Sequence, residues 1–433
     1  FSSRRRHTRC LSDWSSDVCS SDLKEQLMVK RRFPRPKDFI SLIGFRWPNL
    51  NRKEVRLSKV TNLWDLRELA SKRTPRSVFD YTDGASGSEA SLNRAREVFS
   101  KVEFSPRVLR DVTHVDTSVD ILGQKNALPF AFAATGFTRM MGYEGEPAVA
   151  RVAKKYGILY GLSTLGTTSP EDLAKEVPDV RRWYQLYVRR EREPNEKLVS
   201  RVKASGFEAI VLTVDTVVGG VRYRDVKNGL TIPPKLSLKT LLDMAKYPKW
   251  WGNLLTTDPL VFASLDMNDS GGTVADLLSK IFDPSITLED IKWLRTIWNG
   301  KLLIKGVQSV EDAVMLKNAG VDGIILSTHG GRQMDKAPVP LELLPEVRKA
   351  VGKEMTVLID GGVMAGTDIL AAIGLGANAV LVGRAYLYGL MAAGEKGVEK
   401  TVTLLKSEIE MSMRLLGITK LEELTPDRVR IRN

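Results

Sequence analysis

The sequence predicts an α/β fold: a (β/α)8 barrel with a helical segment before it and a long insert after its fourth strand. Eight short apolar runs have the composition of buried strands, and stretches with helical spacing separate most of them. Polar residues gather at the carboxyl end of nearly every run. In a barrel these ends meet at one mouth, where active sites lie, whereas in a doubly wound sheet, the main alternative, they would be spread along an edge. The eight runs are residues 129–135, 158–164, 183–188, 209–215, 302–307, 323–329, 356–362 and 379–384.

The connecting stretches support the same fold. Residues 146–157 have helical spacing and end at Gly157, the residue type that most often follows the last turn of a helix. Eight such strand–helix units require roughly 250 residues, which the chain supplies. The polar residues at the predicted strand ends are Thr135, Ser163, Gln185, Tyr187, Thr213, Asp215, Lys305, His329, Asp360 and Arg384.

Residues 1–23 show neither helical nor strand periodicity, and we expect a non-native or disordered leader there. A signal peptide is the alternative, but no apolar region follows the arginines. The segment contains both cysteines of the chain, Cys10 and Cys19. The remaining residues therefore offer no disulfide, no catalytic thiol and no cysteine metal site, which suits a cytoplasmic protein.

Residues 24–128 are expected to form a helical segment that closes the floor of the barrel. Helical spacing occurs over 57–73 and again over 89–99. Tyr81, between these two stretches, is expected to reach the site. The barrel itself would then occupy residues 129–433.

The insert spans residues 216–300 and is far longer than an ordinary crossover, and unusual loop length is often functional. Within it, residues 236–251 mix lysines with leucines and end in Trp250 and Trp251. One interpretation is a lid over the mouth with its apolar face packed inward, which apolar stripes at helical spacing favour. The other is peripheral contact with an anionic membrane surface.

Composition is that of a globular enzyme, with 43% apolar and 27% charged residues. No apolar run is long enough to predict a membrane-spanning helix. The 65 basic and 52 acidic residues give a net charge of +13, which favours anionic substrates or surfaces. Because this charge is spread along the chain and not clustered with aromatic residues, we expect no nucleic-acid binding.

The turn after the sixth predicted strand contains the clearest catalytic candidate. His329, one of three histidines, lies where the strand meets Gly330 and Gly331, and Arg332 follows. A proton acceptor and a fixed cation on one turn suit a substrate that loses a proton while its carboxylate is held. A histidine that is only satisfied by hydrogen bonds at a strand end is the alternative, and the glycines and the arginine favour a site.

Nine short motifs occur in order, most of them at the predicted strand ends: Phe79-Asp80-Tyr81, Ala133-Ala134-Thr135-Gly136, Leu162-Ser163-Thr164, Trp183-Tyr184-Gln185-Leu186-Tyr187, Leu212-Thr213-Val214-Asp215, Ile304-Lys305-Gly306, Ser327-Thr328-His329-Gly330-Gly331-Arg332-Gln333, Asp360-Gly361-Gly362 and Gly383-Arg384. Over residues 57–424 the chain thereby resembles the FMN-dependent enzymes that oxidise 2-hydroxy acids, the family of glycolate oxidase, mandelate dehydrogenase and the flavin L-lactate dehydrogenases. These enzymes are TIM barrels. Residues 231–234, the Trp250-Trp251 pair and residues 383–389 are most similar to the lactate branch.

The resemblance implies a role for each matching residue. His329 would act as the catalytic base, and Asp215 would stabilise its protonated form, since a nearby anion favours a cation. Planar guanidinium groups would hold the substrate carboxylate better than lysines, and two phenol groups would donate hydrogen bonds. Without the resemblance, Arg222 would be interpreted as a surface arginine and the two tyrosines as packing residues. Asp215 would be interpreted as a helix cap or a solvated strand end. The four implied substrate-binding residues are Tyr81, Tyr187, Arg222 and Arg332.

The implied cofactor is FMN. Lys305 lies on a predicted buried strand and needs a partner there, which the N1–C2 carbonyl edge of the flavin would provide. Glycines let backbone N–H groups approach the phosphate, and Arg384 adds charge. The other implied cofactor-binding residues are Ala133, Ala134, Thr135, Gly136, Ser163, Gln185, Thr213, Ser327, Asp360, Gly361, Gly362 and Gly383.

Several positions depart from the pattern of the family. Met364 stands where many members carry an arginine, which removes one expected phosphate contact. Thr328 replaces a common asparagine, and Ala134 replaces a proline beside the flavin. Gly136 matches several dehydrogenases, whereas family oxidases often carry alanine there, so the sequence favours an electron acceptor other than oxygen.

The expected activity is FMN-dependent oxidation of an L-2-hydroxy acid to the 2-oxo acid, and L-lactate is the first candidate substrate. Electrons would pass to a quinone or a cytochrome, with oxygen as the alternative acceptor. Two further alternatives are a barrel isomerase or lyase without flavin and a non-catalytic barrel bound to a membrane. The resemblance also implies a homotetramer, and the insert adds the expectation of peripheral contact with the inner face of the cell membrane.

Overall fold

The structure, a computed structural model, describes residues 33, 35–40, 51–228, 243, 245–265 and 281–432. The chain forms two compact units, Phe1–Arg52 and Lys53–Asn433. The expected leader, residues 1–23, lies outside the described residues.

Short strands and helices alternate along most of the described chain. The strands are β1 (Val102–Phe104), β2 (Val119–Ile121), β3 (Gln124–Asn126), β4 (Phe130–Phe132), β5 (Tyr160–Ser163), β6 (Arg182–Leu186), β7 (Ala209–Thr213), β8 (Lys301–Val307), β9 (Gly323–Leu326), β10 (Thr356–Asp360), β11 (Ala379–Val382) and β12 (Val429–Ile431). The helices are α1 (Pro36–Ile40), α2 (Arg52–Ser58), α3 (Leu63–Ser71), α4 (Arg76–Asp83), α5 (Ala90–Ser100), α6 (Thr138–Met141), α7 (Gly145–Tyr156), α8 (Pro170–Glu176), α9 (Arg192–Ala204), α10 (Tyr223–Lys227), α11 (Pro248–Leu255), α12 (Leu288–Ile297), α13 (Val310–Asn318), α14 (Pro340–Val351), α15 (Gly366–Gly374), α16 (Arg384–Ala393) and α17 (Glu395–Leu416).

The eight strands from β4 to β11 form a closed parallel barrel, which confirms the predicted fold. Each predicted run coincides with one of these strands, although β6 and β8 begin one residue before their runs. Most predicted runs extend too far at the carboxyl end: β4 ends at Phe132 and β9 at Leu326, so Thr135 and His329 lie in the loops that follow. These residues leave the hydrogen-bonded ladder and are free to face the mouth.

Alternate residues of each strand point into the barrel, so inward-facing residues two positions apart lie in successive layers. Two such layers can be distinguished in the interior. The lower layer is apolar and includes Leu303, Ile325 and Leu358, all fully buried. Two residues further along the chain from each of these stand Lys305, Ser327 and Asp360, which form part of a polar layer; Ser327 directly follows the last residue of β9. The polar side chains that point into the barrel therefore lie near the carboxyl ends of the strands.

A hairpin closes the floor, contrary to the expectation that helices lie there. Strands β2 and β3 pair antiparallel, and Ile121 at the end of β2 is fully buried in the lower apolar layer. Arg181, beside the first residue of β6, donates to the Ile121 carbonyl at 2.6 Å and so holds the hairpin under the barrel. The sequence gives this hairpin no strong strand signal, because each of its strands has only three residues.

Helices α4 and α5 lie at the mouth instead. Arg384, which follows β11, donates to the Thr82 carbonyl of α4 at 2.9 Å. A Cβ placed on Gly362, which follows β10, would come within 2.0 Å of the Ala95 carbonyl of α5. Both contacts are with residues at the carboxyl ends of strands, so this segment contributes to the site and Tyr81 reaches it as expected.

The stretch 57–73 is two helices rather than the single one predicted. Helix α2 ends at Ser58, and Asn62 caps α3 by accepting a hydrogen bond from the Asp65 amide at 2.9 Å. Thr61 donates through both its amide and its hydroxyl to the Asp65 carboxylate, at 2.8 and 2.7 Å. These local polar contacts satisfy the free amides of a new helix start and interrupt the apolar period.

Candidate active site

One cavity of about 500 Å³ opens at the carboxyl ends of the strands. It brings together all but two of the predicted site residues. The exceptions, Asp215 and Ser327, lie directly behind the wall and contact residues that face the cavity. The predicted residues that line the cavity are Tyr81, Ala133, Ala134, Thr135, Gly136, Ser163, Gln185, Tyr187, Thr213, Arg222, Lys305, His329, Arg332, Asp360, Gly361, Gly362, Gly383 and Arg384.

His329 and Asp215 form a hydrogen-bonded pair at the wall. The His329 Nδ1–H donates to Asp215 Oδ1 at 3.1 Å, and the Asp215 side chain is 2% exposed. Burial raises the pKa of Asp215, but the charge and hydrogen bond of His329 and the charge of Lys305 outweigh it and lower that pKa overall. Since Nδ1 is engaged, Nε2 is the ring nitrogen that remains to accept a proton.

The backbone of His329 is strained, with a φ of 55° in the left-handed region. A non-glycine residue in this region has an energetic cost of about 1 kcal/mol or more, so its surroundings must fix it. The Ser327 hydroxyl accepts from the His329 amide at 2.9 Å, and the Gly331 amide donates to the Thr328 carbonyl at 2.9 Å. The turn thereby holds the imidazole at the mouth of the barrel, just beyond the carboxyl end of β9.

Lys305 occupies the polar layer next to this turn. Its ammonium group donates to Ser327 Oγ at 2.6 Å and forms an ion pair with Asp360 at 2.8 Å. Burial lowers the pKa of Lys305, but the charges of Asp360 and Asp215 outweigh it and raise that pKa overall. The lysine is therefore a fixed cation inside the barrel, and Ser327 connects it to the backbone of His329.

A chain of neutral hydrogen bonds crosses three neighbouring strands. The Ser163 hydroxyl donates to Gln185 Oε1 at 2.8 Å, and Gln185 Nε2 donates to Thr213 Oγ1 at 2.9 Å. All three side chains are buried and line the cavity. The chain fixes which end of the Gln185 amide is the donor, so the wall offers oriented polar groups to a planar ligand.

Two arginines lie against one tyrosine ring. The Arg332 guanidinium is 4.7 Å and the Arg222 guanidinium 5.6 Å from the centre of the Tyr81 ring. Arg222 also pairs with Asp225 at 2.7 Å, and burial together with the charge of Arg222 lowers the pKa of Arg332. Two cations this close repel each other, so the arrangement is suited to a shared anion between them.

The part of the wall that follows β10 and β11 is rich in glycine. Gly361 and Gly362 have φ values of 95° and 81°, which side-chain-bearing residues rarely adopt, and a Cβ on Gly361 would meet no atom within 4 Å. Arg384 donates to the Thr82 and Gly84 carbonyls at 2.9 and 2.8 Å. Burial, followed by repulsion from Arg332 and Arg96, lowers the pKa of Arg384 to about 10.

Several residues that line the cavity were missed in the sequence. Gln333 donates to the Val218 carbonyl at 2.9 Å and accepts from the Gly220 amide at 3.1 Å, so it joins the His329 turn to the loop before Arg222. Its place in the Ser327–Gln333 motif was the signal that pointed to it. Other missed residues come from several different elements and carry no local signal, among them Arg96, Phe137, Met141, Leu165 and Phe282.

The described part of the insert packs on the mouth. Trp250 donates to the Met140 carbonyl at 3.0 Å, and Phe282 stacks edge-on against Tyr187, with ring centres 5.5 Å apart. These contacts agree with the lid interpretation. Residues 231–234 and 236–242 lie outside the described residues. Within the described part of the chain, no helix combines the length and apolar character that crossing a bilayer requires.

The residues at the cavity fit FMN. Lys305 and the oriented Ser163–Gln185–Thr213 chain match the polar edge of a flavin ring. Asp360 Oδ1 is buried and has no hydrogen-bond partner among the described residues, so it offers an acceptor to a hydroxyl of the ribityl chain. The glycine turns and Arg384 provide room and charge for the phosphate.

Residues 70–431 match the FMN-dependent dehydrogenase family. The chain belongs to this family. A protein of Mycobacterium tuberculosis named "Putative L-lactate dehydrogenase" is 50% identical over 403 residues, which cover 93% of this chain and 97% of that protein. The (S)-mandelate dehydrogenase of Pseudomonas putida is 39% identical over 368 residues, covering 84% of this chain and 93% of that protein.

Solved structures of family members superimpose closely. The monotopic membrane protein (S)-mandelate dehydrogenase aligns with a TM-score of 0.83 and 38% identity, over 86% of this chain and 100% of that chain. Mandelate oxidase aligns with a TM-score of 0.75 and 36% identity, over 86% of this chain and 99% of that chain. The chain is thus an FMN-dependent 2-hydroxy acid oxidoreductase of TIM-barrel fold. Dehydrogenases and oxidases both occur among its relatives.

Proposed function

We propose that the protein oxidises an L-2-hydroxy acid, foremost L-lactate, to the 2-oxo acid, with His329 as the base. The observation that carries this proposal is the His329–Asp215 pair, which shares a cavity with two guanidinium groups. A base and an anion-binding pair at one site match a substrate with a carboxylate and an acidic proton on adjacent groups.

His329 Nε2 would take the proton while Asp215 stabilises the imidazolium that forms. The pKa of Asp215 is lowered, so its carboxylate stays ionised at neutral pH and favours the charged imidazole. The same two residues serve removal of the proton from Cα or from the hydroxyl group. In either case FMN held in the cavity would supply the two-electron oxidant that the reaction needs.

Arg222 and Arg332 would hold the substrate carboxylate. Both guanidinium groups lie against Tyr81, and a carboxylate between them would offset their mutual repulsion. Tyr187 lines the same cavity, and its hydroxyl would donate a hydrogen bond to the substrate. This set fixes the carboxylate and hydroxyl of the substrate relative to His329, which is the basis for selecting one enantiomer.

The preference for a small acid is supported by the wall and by a relative. Leu165, Phe137 and Phe282 add large apolar side chains to the cavity beside Tyr187. The relative that is 50% identical is named for L-lactate, whereas the mandelate dehydrogenase is 39% identical. An aromatic hydroxy acid is therefore the second candidate substrate.

For the acceptor, we propose a quinone or a cytochrome. Gly136 supports this choice through the resemblance, because several dehydrogenases of the family carry glycine there whereas its oxidases often carry alanine. The wall is fitted to the glycine, since a Cβ at that position would lie 2.9 Å from Leu165 Cβ. Oxygen is the second candidate, since mandelate oxidase and glycolate oxidases are among the relatives. Peripheral membrane contact is part of the proposal, supported by the mandelate dehydrogenase that is described as monotopic. A homotetramer in the cytoplasm or at the inner membrane face stays a prediction.

Steady-state turnover with matched pairs of donors and acceptors tests the proposal. The donors are L-lactate, D-lactate, glycolate and L-mandelate, and the acceptors are a soluble quinone and oxygen. The proposal predicts the highest kcat/KM for L-lactate with the quinone. Faster turnover with oxygen than with the quinone would identify the protein as an oxidase. A higher kcat/KM for L-mandelate than for L-lactate would make mandelate the substrate and would leave the proposed roles of His329 and the arginines unchanged.

A further inference from the structure

The cations at the cavity wall fall into two groups. Arg222 and Arg332 lie against Tyr81, and Lys305 pairs with Asp360 inside the barrel. Arg384 donates to the Gly84 carbonyl as Arg332 does, but it begins a different element, α16, and Arg96 of α5 donates to Tyr388 of that same helix at 3.3 Å. The second group, Arg96 and Arg384, adjoins the glycine turns, because Arg96 follows Ala95, whose carbonyl packs against Gly362, and Arg384 follows Gly383.

Carboxylates occupy the start of the helix that follows β10, the seventh strand of the barrel, although the loops after the seventh and eighth strands commonly bind phosphate in such barrels. The Asp368 carboxylate accepts from the Met364 and Ala365 amides at 2.8 and 2.9 Å. The Glu408 carboxylate accepts from the Gly366 amide at 2.5 Å. Two carboxylates thus occupy the amides of Met364, Ala365 and Gly366, just before and at the start of α15, and a phosphate there would meet like charges. Met364 itself lines the cavity but is apolar.

Arg96 has the Asp83 carboxylate at the limit of ion-pair distance, and other arginines share that carboxylate at closer range. The Arg96 guanidinium lies 5.3 Å from the centre of the Trp64 ring. The nearby carboxylate of Asp83 is 3.9 Å from Arg96, and Arg67 takes both of its oxygens at 2.6 and 2.8 Å. Arg96 is thus a fixed, partly buried cation at the cavity wall whose charge is only weakly balanced by Asp83.

We propose that Arg96 binds the phosphate group of FMN together with Arg384, in place of a cation at position 364. A phosphate dianion between these two guanidinium groups would balance both charges and would be held from α5 on one side and α16 on the other. The inference rests on FMN as the cofactor. It assigns to the segment before the barrel a direct part in recognising the phosphate.

Comparing FMN with riboflavin, which lacks the phosphate, isolates this contact. The deflavinated full-length chain is titrated with each flavin, and the quenching of flavin fluorescence gives the two dissociation constants. For Arg96→Met we expect the FMN Kd to rise about tenfold or more, as for loss of a charge-assisted contact, while the riboflavin Kd changes less than about twofold. Arg94→Met, an exposed site on the same helix, is the matched control and leaves both constants unchanged.

Two further variants decide the interpretation. Arg96→Gln retains hydrogen-bond donors for Tyr388, loses the charge, and should reproduce the selective loss of FMN affinity. In the double variant Arg96→Met/Met364→Arg, a guanidinium returns to the same end of the cavity, and the FMN Kd should fall back towards that of the wild type.

An equal loss of FMN and riboflavin affinity in Arg96→Met and Arg96→Gln would overturn the proposal, because Arg96 would then support the cavity as a whole. Unchanged FMN affinity in both variants would overturn it too. A wild-type chain that binds neither flavin would instead refute the cofactor, which is a different failure from one confined to Arg96.

Discussion

The two layers inside the barrel differ in composition although the same strands build both. Leu303, Ile325 and Leu358 fill the lower layer with apolar side chains, and Ile121 of the floor hairpin completes it. Two positions further along the same strands, the upper layer holds ionisable and hydroxyl side chains such as Lys305 and Asp360. The step from one layer to the other is only two residues long.

This difference separates stability from chemistry. The lower layer contributes apolar burial, which stabilises the fold in proportion to the area removed from water. The upper layer contains a buried ion pair and a strained turn at His329, which are costly for folding and are retained where function needs them. Substitutions in the lower layer should therefore change stability alone, and substitutions at the mouth should change catalysis or binding with little effect on stability.

The largest expected effect is that of His329→Gln. Removing the base should slow anaerobic FMN reduction by L-lactate by about 10^3-fold, within the usual range for general-base catalysis, because glutamine cannot accept the proton. The variant should retain FMN and its melting temperature. His114→Gln, at an exposed histidine, is the control. Reduction of His329→Gln at the wild-type rate would remove this residue from the chemistry.

Next comes Ile121→Ala at the floor. Deleting a fully buried isoleucine should lower the free energy of unfolding by roughly 2–5 kcal/mol, from lost transfer energy and the cavity left behind. Turnover per folded molecule should not change. Denaturant unfolding and a kcat measurement on the same sample test this, with Val108→Ala, at an exposed position, as the control. A large fall in kcat without a fall in stability would contradict the separation of the two layers.

Arg222→Met is expected to act on binding. Loss of one charged contact to the carboxylate should raise KM for L-lactate by roughly 10- to 100-fold, with a smaller change in kcat. Arg222→Lys should be intermediate, because an ammonium group lacks the planar pair of donors. The exposed Arg76→Met is the control. An unchanged KM would place the carboxylate elsewhere in the cavity.

The smallest effect concerns Asp368, at the start of α15. Burial raises the pKa of Asp368 from 3.8 to about 6, with a contribution from the charge of Glu408. The folded state therefore binds a proton more tightly than the unfolded state, so this group contributes stability at low pH that is lost as pH rises from about 4 through about 6. Asp368→Asn should remove this pH dependence of stability. The melting temperature of the variant should exceed that of the wild type mainly above pH 6. Parallel melting curves for the two proteins across this range would contradict the assignment.

The sequence predicts the eight barrel strands and the His329 turn because their signals are local: an apolar run, a glycine pair and a polar residue at the strand end. Arg222 was predicted only through the resemblance, since its partner Tyr81 is far away in the chain. The floor hairpin, the break before Asn62 and the position of Arg96 were not predicted. Three-residue strands carry little periodicity, and a helix surface does not reveal from its own residues which loop it will contact.

The most direct test is the anaerobic visible spectrum of the purified protein before and after addition of L-lactate, with D-lactate as the paired control. We expect a flavin spectrum that bleaches with L-lactate and stays unchanged with D-lactate. A protein that is colourless and takes up no FMN would contradict FMN as the cofactor. A flavin that bleaches equally with both enantiomers would contradict the arrangement of His329 and the two arginines around one bound carboxylate.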